Sequence, residues 1–144
     1  MNKKLSVISL SVLIFISLTV MGFAGNKGDQ IRHTMVDGYH LTYKLIDMRE
    51  KMKEMGHDHS GQKMATHHLM LFIKSSDSKP VKDARVGYLV TNKSGTKEKA
   101  MAMMMGDGYG SDVTLDKPGE YSIKVKAVTS GNKIIDDFVY TLKK

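Results

Sequence analysis

The feature that most constrains the fold of this chain is the recurrence of short alternating runs between turn sequences. Apolar and polar residues alternate cleanly in 39–45 and in 121–127, which places the apolar set on one face of a strand. Turn sequences separate such runs about every 8–12 residues, a pattern typical of all-β sandwiches. We therefore predict an all-β antiparallel β-sandwich of about seven to eight strands. The predicted strands are 31–36, 39–45, 66–74, 84–91, 97–105, 110–115, 121–128 and 133–142.

Two local signals shape the N-terminal part of this sandwich. Asp37 and Gly38 supply the positive φ angles of a tight turn, so the first two strands are predicted to form a hairpin. The stretch 47–55 has no β-branched residue and is rich in helix formers. Asp47 can cap its start and Gly56 can end it, so we expect one short helix near the N-terminal part.

The N-terminus has the pattern of an export signal. Lys3 and Lys4 precede an uncharged apolar run, and small residues stand at Gly22 and Ala24, the positions that a signal peptidase reads. Cleavage after Ala24 is therefore predicted, with a periplasmic or secreted destination. The alternative is a retained membrane anchor, because the apolar stretch 5–24, of about 20 residues, is borderline long enough to span a bilayer.

Removal of residues 1–24 as a signal peptide leaves 25–144 as a single β-sandwich domain. That length suits one domain of ordinary size and leaves no room for a second core. Within the domain, 47–64 is the short helix followed by a polar loop rich in methionine and histidine.

Composition excludes several classes of function. The net charge of +7 comes from lysines spread along the chain, and tryptophan is absent, so nucleic-acid binding is not expected. With no cysteine there is no thiolate nucleophile, thiolate ligand or disulfide. Nucleophile elbows, phosphate loops and zinc-protease helices are absent. Asp136 and Asp137 are adjacent on a strand and point to opposite faces, so they cannot work as a carboxylate pair. We expect no enzyme activity.

Methionine and histidine carry the chemistry of this chain. It has 12 methionines and 6 histidines, and the methionines gather near the helix and in the run 101–105. Thioethers and imidazoles without thiolates suit copper, since thioethers favour Cu(I) and imidazole with carboxylate favours Cu(II). The predicted cofactor is thus copper, with Cu(I) favoured. The candidate metal ligands are Met52, Met55, His57, His59, Met64, His67, His68, Met103 and Met104.

Packing offers an alternative explanation for the strand methionines. In a single strand over 97–105, Met101, Met103 and Met105 would share one face, where they could simply fill the core. Met104 would point the other way and is the better ligand candidate if that face is the outer one. Core packing and metal binding therefore both remain open for this run.

The adjacent histidines at the start of the strand 66–74 must point to opposite faces of the strand. His67 shares a face with Leu69 and Leu71, whereas His68 shares the other face with Met70. At most one of the two imidazoles can therefore join a given site. Both faces of this strand are largely apolar, which predicts a central position in its sheet.

The stretch 67–143 resembles the YtkA-like and FixH-like group of exported immunoglobulin-like domains. The similar features are KPVKDARVGYLV, the Met-rich KAMAMMM and GDGYGSDVTLDKPGEYSIKVKA. The resemblance implies an immunoglobulin-like sandwich and a role in copper handling or in the assembly of metal-containing respiratory complexes. A second similarity is to periplasmic iron-transport-associated sandwiches, whose copper site uses methionine and histidine.

Together these patterns predict an exported copper carrier or buffer with an exposed, incompletely coordinated site at one end of the sandwich. Ligands from the helix and loop would meet ligands from the strands there. The partners expected are the metal ion and a membrane or envelope protein that receives it. The alternative is a non-enzymatic, immunoglobulin-like interaction module of an envelope complex that binds no metal and uses its methionines as adaptable packing.

Processing at the predicted cleavage site is directly measurable. The intact mass of the exported protein should match a chain that begins at Gly25 or close to it, because the small residues before it suit signal peptidase. A full-length mass in the membrane fraction would contradict cleavage and favour the anchor.

Overall fold

The computed structural model describes residues 28–54, 56 and 64–144, which form two antiparallel sheets packed as a β-sandwich. The first sheet has the order β1-β2-β3-β7-β6 and the second the order β5-β4-β8-β9. The predicted fold class is confirmed, although these residues form nine strands in place of seven to eight. The elements are β1 (Asp29–Val36), β2 (Tyr39–Asp47), α1 (Arg49–Glu54), β3 (His67–Lys74), β4 (Arg85–Asn92), β5 (Lys97–Met101), β6 (Met103–Met105), β7 (Gly108–Val113), β8 (Gly119–Thr129) and β9 (Asn132–Leu142).

The turn and cap signals of the N-terminal part produce the structures that they predict. Asp37 and Gly38 have φ angles of 51° and 81° and join β1 to β2 as a hairpin. The Asp47 carboxylate accepts a hydrogen bond of 2.9 Å from the Arg49 amide, where α1 begins. Gly56, with φ of 65°, follows the helix end. The helix is shorter than 47–55 because Asp47 still belongs to β2. Within the part of the chain that the structure describes, no helix is long and apolar enough to cross a membrane.

The core lies between the sheets and is built by strand alternation. β3 is central in the first sheet, as expected from its two apolar faces, and its inward residues Leu69, Leu71 and Ile73 are fully buried. Apolar side chains from β4 and β8 of the second sheet pack against them. Aromatic and β-branched side chains fill this space well on pleated surfaces. The main core residues are Leu41, Tyr43, Leu69, Leu71, Ile73, Val86, Tyr88, Tyr109, Val113, Leu115, Ile123, Val125 and Ile134.

The Met-rich segment crosses from one sheet to the other. The sequence predicts one strand over 97–105, but the structure divides it at Ala102 into β5, in the second sheet, and β6, in the first. Ala102 is partly buried against the core, and its amide donates a 2.9 Å hydrogen bond to the Val86 carbonyl. The prediction that Met101 shares a face with Met103 and Met105 is therefore wrong. Alternation alone does not reveal a change of sheet in mid-run.

An ion pair with a buried carboxylate and a half-buried guanidinium connects the two sheets. Arg32 on β1 donates from Nε and Nη2 to the two carboxylate oxygens of Asp136 on β9, each at 2.9 Å. The Asp136 side chain is only 6% exposed, whereas Asp137 faces solvent, as their strand positions predict. Burial alone would raise the pKa of Asp136, but the hydrogen bonds and charge of Arg32, together with the neighbouring Tyr43 hydroxyl, outweigh burial, and the pKa lies below its ordinary value.

Replacing this carboxylate should destabilise the fold. We expect Asp136→Asn to lower the free energy of unfolding by about 2 kcal/mol at pH 7, because Arg32 would lose its charged partner. Since the folded-state pKa lies below the unfolded value of about 3.9, the contribution is full above about pH 5 and is lost as the pH falls below about 4. Urea unfolding at pH 7 and pH 3 measures both effects.

Asp137→Asn is the matched control, since Asp137 is exposed and forms a surface ion pair with Lys124 at 3.2 Å. Its loss should change the stability by less than about 1 kcal/mol. Equal effects of the two substitutions would contradict the role given to Asp136.

Candidate metal site

The candidate site lies on the outer face of the first sheet, where β3 meets β7. The alternation that directs Leu69 inward directs His68 and Met70 outward. In the β3–β7 register His68 is opposite Asp112 and Met70 is opposite Gly110. His68 therefore has the carboxylate of Asp112 beside it, whereas Met70 has no side chain beside it because its partner is a glycine.

The sequence Gly108-Tyr109-Gly110 on β7 explains why there is space at this point. Tyr109 points into the core and is held there by a hydrogen bond of 2.7 Å from its hydroxyl to the Val81 carbonyl. The two glycines therefore face outward. A Cβ on Gly108 would lie 2.9 Å from the Phe72 ring, so β3 side chains lie directly across the β7 backbone.

Three soft or intermediate donor atoms converge above Gly110. A Cβ built on Gly110 would lie 2.4 Å from His68 Nε2, 2.5 Å from Met70 Sδ and 2.9 Å from Met105 Sδ. These distances are close to, or a little longer than, metal bonds to nitrogen and sulfur, which are about 2.0–2.3 Å for zinc. One point beside the glycine is thus surrounded by an imidazole and two thioethers.

The orientation of His68 is set by Asp112. His68 Nδ1 lies 2.7 Å from Asp112 Oδ1, and because the ionised carboxylate can only accept, the Nδ1 proton points to it. Nε2 is then an unprotonated acceptor, close to the same point above Gly110 as the sulfur atoms of Met70 and Met105. It is buried and has no hydrogen-bond partner among the residues that the structure describes. A carboxylate–imidazole pair with a free second nitrogen is the usual arrangement behind a metal ion.

The donor atoms border a cleft of about 500 Å³, which we call the outer-face cleft. Its charges come from Lys44, whose Nζ lies 5.6 Å from the centre of the Phe72 ring, and from Asp107. The surroundings of the donor atoms thus carry charges of both signs, so the preference for one ion over another depends on the donor atoms themselves, which are neutral. The described residues that line the cleft are Lys44, Ile46, His68, Met70, Phe72, Met105, Gly106 and Asp107.

Three solved structures have a similar fold, and two of them are copper-bound. FetP of the uropathogenic Escherichia coli strain F11, expressed in the periplasm, matches with a TM-score of 0.52 and 14% identity over 79% of this chain and 96% of its own. A copper-bound variant of FetP matches with a TM-score of 0.51 and 14% identity over 77% and 92%. A copper-bound variant of P19 from Campylobacter jejuni matches with a TM-score of 0.53 and 12% identity over 80% and 94%.

At these identities the similarity establishes the fold. Neither a protein-family model nor a curated protein matches the chain. The resemblance to the YtkA-like and FixH-like group therefore stays a prediction, while copper is found in proteins of this architecture.

The two adjacent histidines lie on opposite faces. His67 points into the sandwich and is 1% exposed, and its Nδ1 lies 2.7 Å from Thr66 Oγ1. Burial lowers the pKa of His67, which keeps its imidazole neutral. His68 alone faces the outer-face cleft.

The run 101–105 contributes a residue that the sequence analysis did not select. On β6, Met103 is opposite Gly110 and Met105 is opposite Gly108. Both methionines therefore point to the outer face of the sheet, where the site lies. Met104 is opposite the buried Tyr109 and points the other way. Met105, which was absent from the predicted ligands, supplies its sulfur to the donor cluster, and Met103 stands beside it with 74% of its surface exposed.

The remaining predicted ligands do not join this cluster in the described structure. Met52 is half-buried on α1 and Met64 is 42% exposed before β3, and neither lines the outer-face cleft. Met55, His57 and His59 lie outside the described residues. The signal that could have selected Met70 was its spacing of two residues from His68, which places both on one strand face.

The tautomer of His68 is a test of the site that needs no metal. At pH 8 the His68 imidazole should carry its proton on Nδ1, and Asp112→Leu should shift it toward the tautomer protonated at Nε2, because the carboxylate acceptor is gone. Two-dimensional ¹H–¹⁵N spectra of the histidine rings report this directly. The ring of the exposed His33 is an internal control and should not change. An Nε2-protonated His68 in the unaltered protein would contradict the orientation described above.

Proposed function

We propose that this protein is an exported, non-enzymatic copper-binding protein that holds one Cu(I) ion between His68 Nε2, Met70 Sδ and Met105 Sδ. The observation that carries the proposal is the convergence of these atoms above Gly110, with the imidazole nitrogen buried and unpartnered among the described residues. Copper in two solved structures of the same architecture supports the choice of metal.

The chemistry of the donor set favours Cu(I). Thioethers are soft ligands that carry no charge and have no proton to lose, and Cu(I) accepts a low coordination number with such donors. Zn²⁺ would gain little from the two sulfur atoms. Cu(II) would prefer more nitrogen and oxygen ligands than His68 with its neighbouring thioethers supplies.

The position of the site suits a carrier or buffer that exchanges its metal. β6 is an edge strand of the first sheet, and Met103 lies on it next to the cluster, largely exposed. A partner protein can therefore approach the ion from the edge, and Met103 can offer a transient thioether during transfer. The receiving partner is a membrane or envelope protein, and the compartment is the periplasm or the exterior, where a site without thiols resists oxidation.

An interaction module without metal is the second candidate function, and it relies on another surface. The outer face of the second sheet has an apolar cleft of about 480 Å³, bordered by Leu89, Met101 and Ile135. Met101 and Ile135 are 67% and 52% exposed there, and Lys124 and Lys126 flank them. A partner that is apolar with an acidic rim would fit this surface.

Filling the space beside Gly110 with a methyl group provides the first test of copper binding. Gly110→Ala should lower the Cu(I) affinity at least about tenfold, because the new methyl group would occupy the point where the donors meet. Gly87→Ala is the matched control, since Gly87 is also a strand glycine and its Cβ would lie 3.3 Å from Met101 Sδ, away from the cluster. Anaerobic competition against a chromophoric Cu(I) chelator measures both affinities.

Neighbouring methionines provide the second test. Met105→Leu should lower the Cu(I) affinity at every pH, because a thioether exchanges no proton. Met104→Leu, one residue away on the opposite face, should leave the affinity unchanged. Equal affinities for the two variants and the unaltered protein would reject this ligand set. If the unaltered protein bound no Cu(I) at all, the interaction module would replace the copper carrier.

A further inference from the structure

The pattern of a histidine and a methionine two residues apart occurs twice in the described part of the first sheet. Besides His68 and Met70 on β3, His33 and Met35 stand at the same spacing on β1. Such spacing places both side chains on one face of a strand. In the register His33 is opposite Thr42, and Thr42 is opposite the outward Phe72, so His33 and Met35 lie on the same outer face as the first cluster.

A third donor stands next to this second pair. His40 on β2 is directly opposite Met35, and its ring lies almost parallel to the His33 ring, with centroids 6.1 Å apart and planes 16° apart. The His33 Nδ1 is 2.9 Å from Thr42 Oγ1, which leaves Nε2 available for a ligand. Met35 is 62% exposed, so its side chain contributes little to core packing.

We propose that His33, Met35 and His40 form a second Cu(I) site at the hairpin end of the outer face. Two imidazoles and one thioether repeat the neutral, soft-to-intermediate chemistry of the first site. Both rings lie at the sheet surface, with His33 exposed and His40 half-buried, and surface side chains change rotamer within nanoseconds, so rotation of the rings can bring their nitrogens toward one ion. Lys74, opposite His40 on β3, favours a monovalent ion over a divalent one.

The two sites are too far apart to share an ion. Along β2, His40 is four residues from Lys44, the partner of Met70, which corresponds to about 13 Å at about 3.3 Å per residue. Each site can therefore fill and empty separately. A chain with two such sites can hold two ions, which extends the proposed buffer function without depending on the ligands of the first site.

Native mass spectrometry of the full exported chain with Cu(I), without oxygen, tests the second site. The paired substitution His33→Ala with His40→Ala should remove one copper ion per chain relative to the unaltered protein. The paired substitution His68→Ala with Met105→Leu should also remove one. The four substitutions together should remove two, because the sites are independent.

The pattern of losses separates the two proposals. An unchanged copper count in the His33 and His40 variant overturns the second site, whatever happens at His68. A loss in that variant together with no loss in the His68 and Met105 variant supports the second site and overturns the proposed function. Since His33 is exposed and His40 is only half-buried, both substitutions should preserve the fold, which circular dichroism can verify.

Single methionine variants give an independent measurement. Met35→Leu should lower the Cu(I) affinity of the second site about tenfold, whereas Met101→Leu, a similarly exposed methionine on the other sheet, should not change it. The ¹⁵N signals of the His33 and His40 rings should shift as the second equivalent of Cu(I) is added, while those of the buried His67 stay in place. Ring signals that do not respond to Cu(I) would overturn the proposal.

Discussion

The close approach of β3 to a strand with glycines on its outer face is the constraint on which the candidate site depends. Because Gly108 and Gly110 have no side chains, Met70 and Phe72 lie across β7 without a competing Cβ. The residue between the glycines, Tyr109, is buried and hydrogen-bonded, so the register of the pair cannot slip without exposing it. The tripeptide 108–110 thus contributes a buried tyrosine to the core on one face of β7 and leaves space for the candidate site on the other face.

Charge is distributed differently between the inside of the sandwich and its outer face. The buried carboxylate of Asp136 is paired with the half-buried Arg32 in a bidentate contact, as burial of a charge requires. The donor atoms of the outer-face cleft are neutral, and the one carboxylate bonded to His68 acts on its Nδ1 and leaves Nε2 free. A neutral donor set with two thioethers suits a soft monovalent ion.

The first sheet carries soft donors at two places along one face. The inner positions of β1, β2 and β3 mostly hold core residues, among them the buried His67, whereas the other histidines and the methionines of these strands stand at the alternate, outward positions. His33 and Met35 on β1 and His68 and Met70 on β3 follow this rule. The outward positions of the second sheet include lysines such as Lys124 and Lys126, and its described strands contain no histidine, which gives the two faces of the sandwich distinct chemistry.

The amino-acid sequence by itself determined the class of the fold, the hairpin at Asp37 and Gly38, the short helix and the separation of His67 from His68. These features follow from local backbone preference and from the two-residue period of a strand, and both are visible along the chain. The methionine and histidine content likewise indicated copper before any residue was placed. The ligand set predicted from clustering along the chain, however, included Met104 and omitted Met105.

Only the tertiary structure decided which donors meet. The crossing of the chain between sheets at Ala102 sets the faces of the methionine run, and the pairing of β7 with β3 and β6 brings Met105 to His68. These pairings join residues far apart in the chain, and their register depends on the packing of the whole sandwich. Alternation gives the two faces of each strand, but the identity of its neighbours is a property of the folded domain.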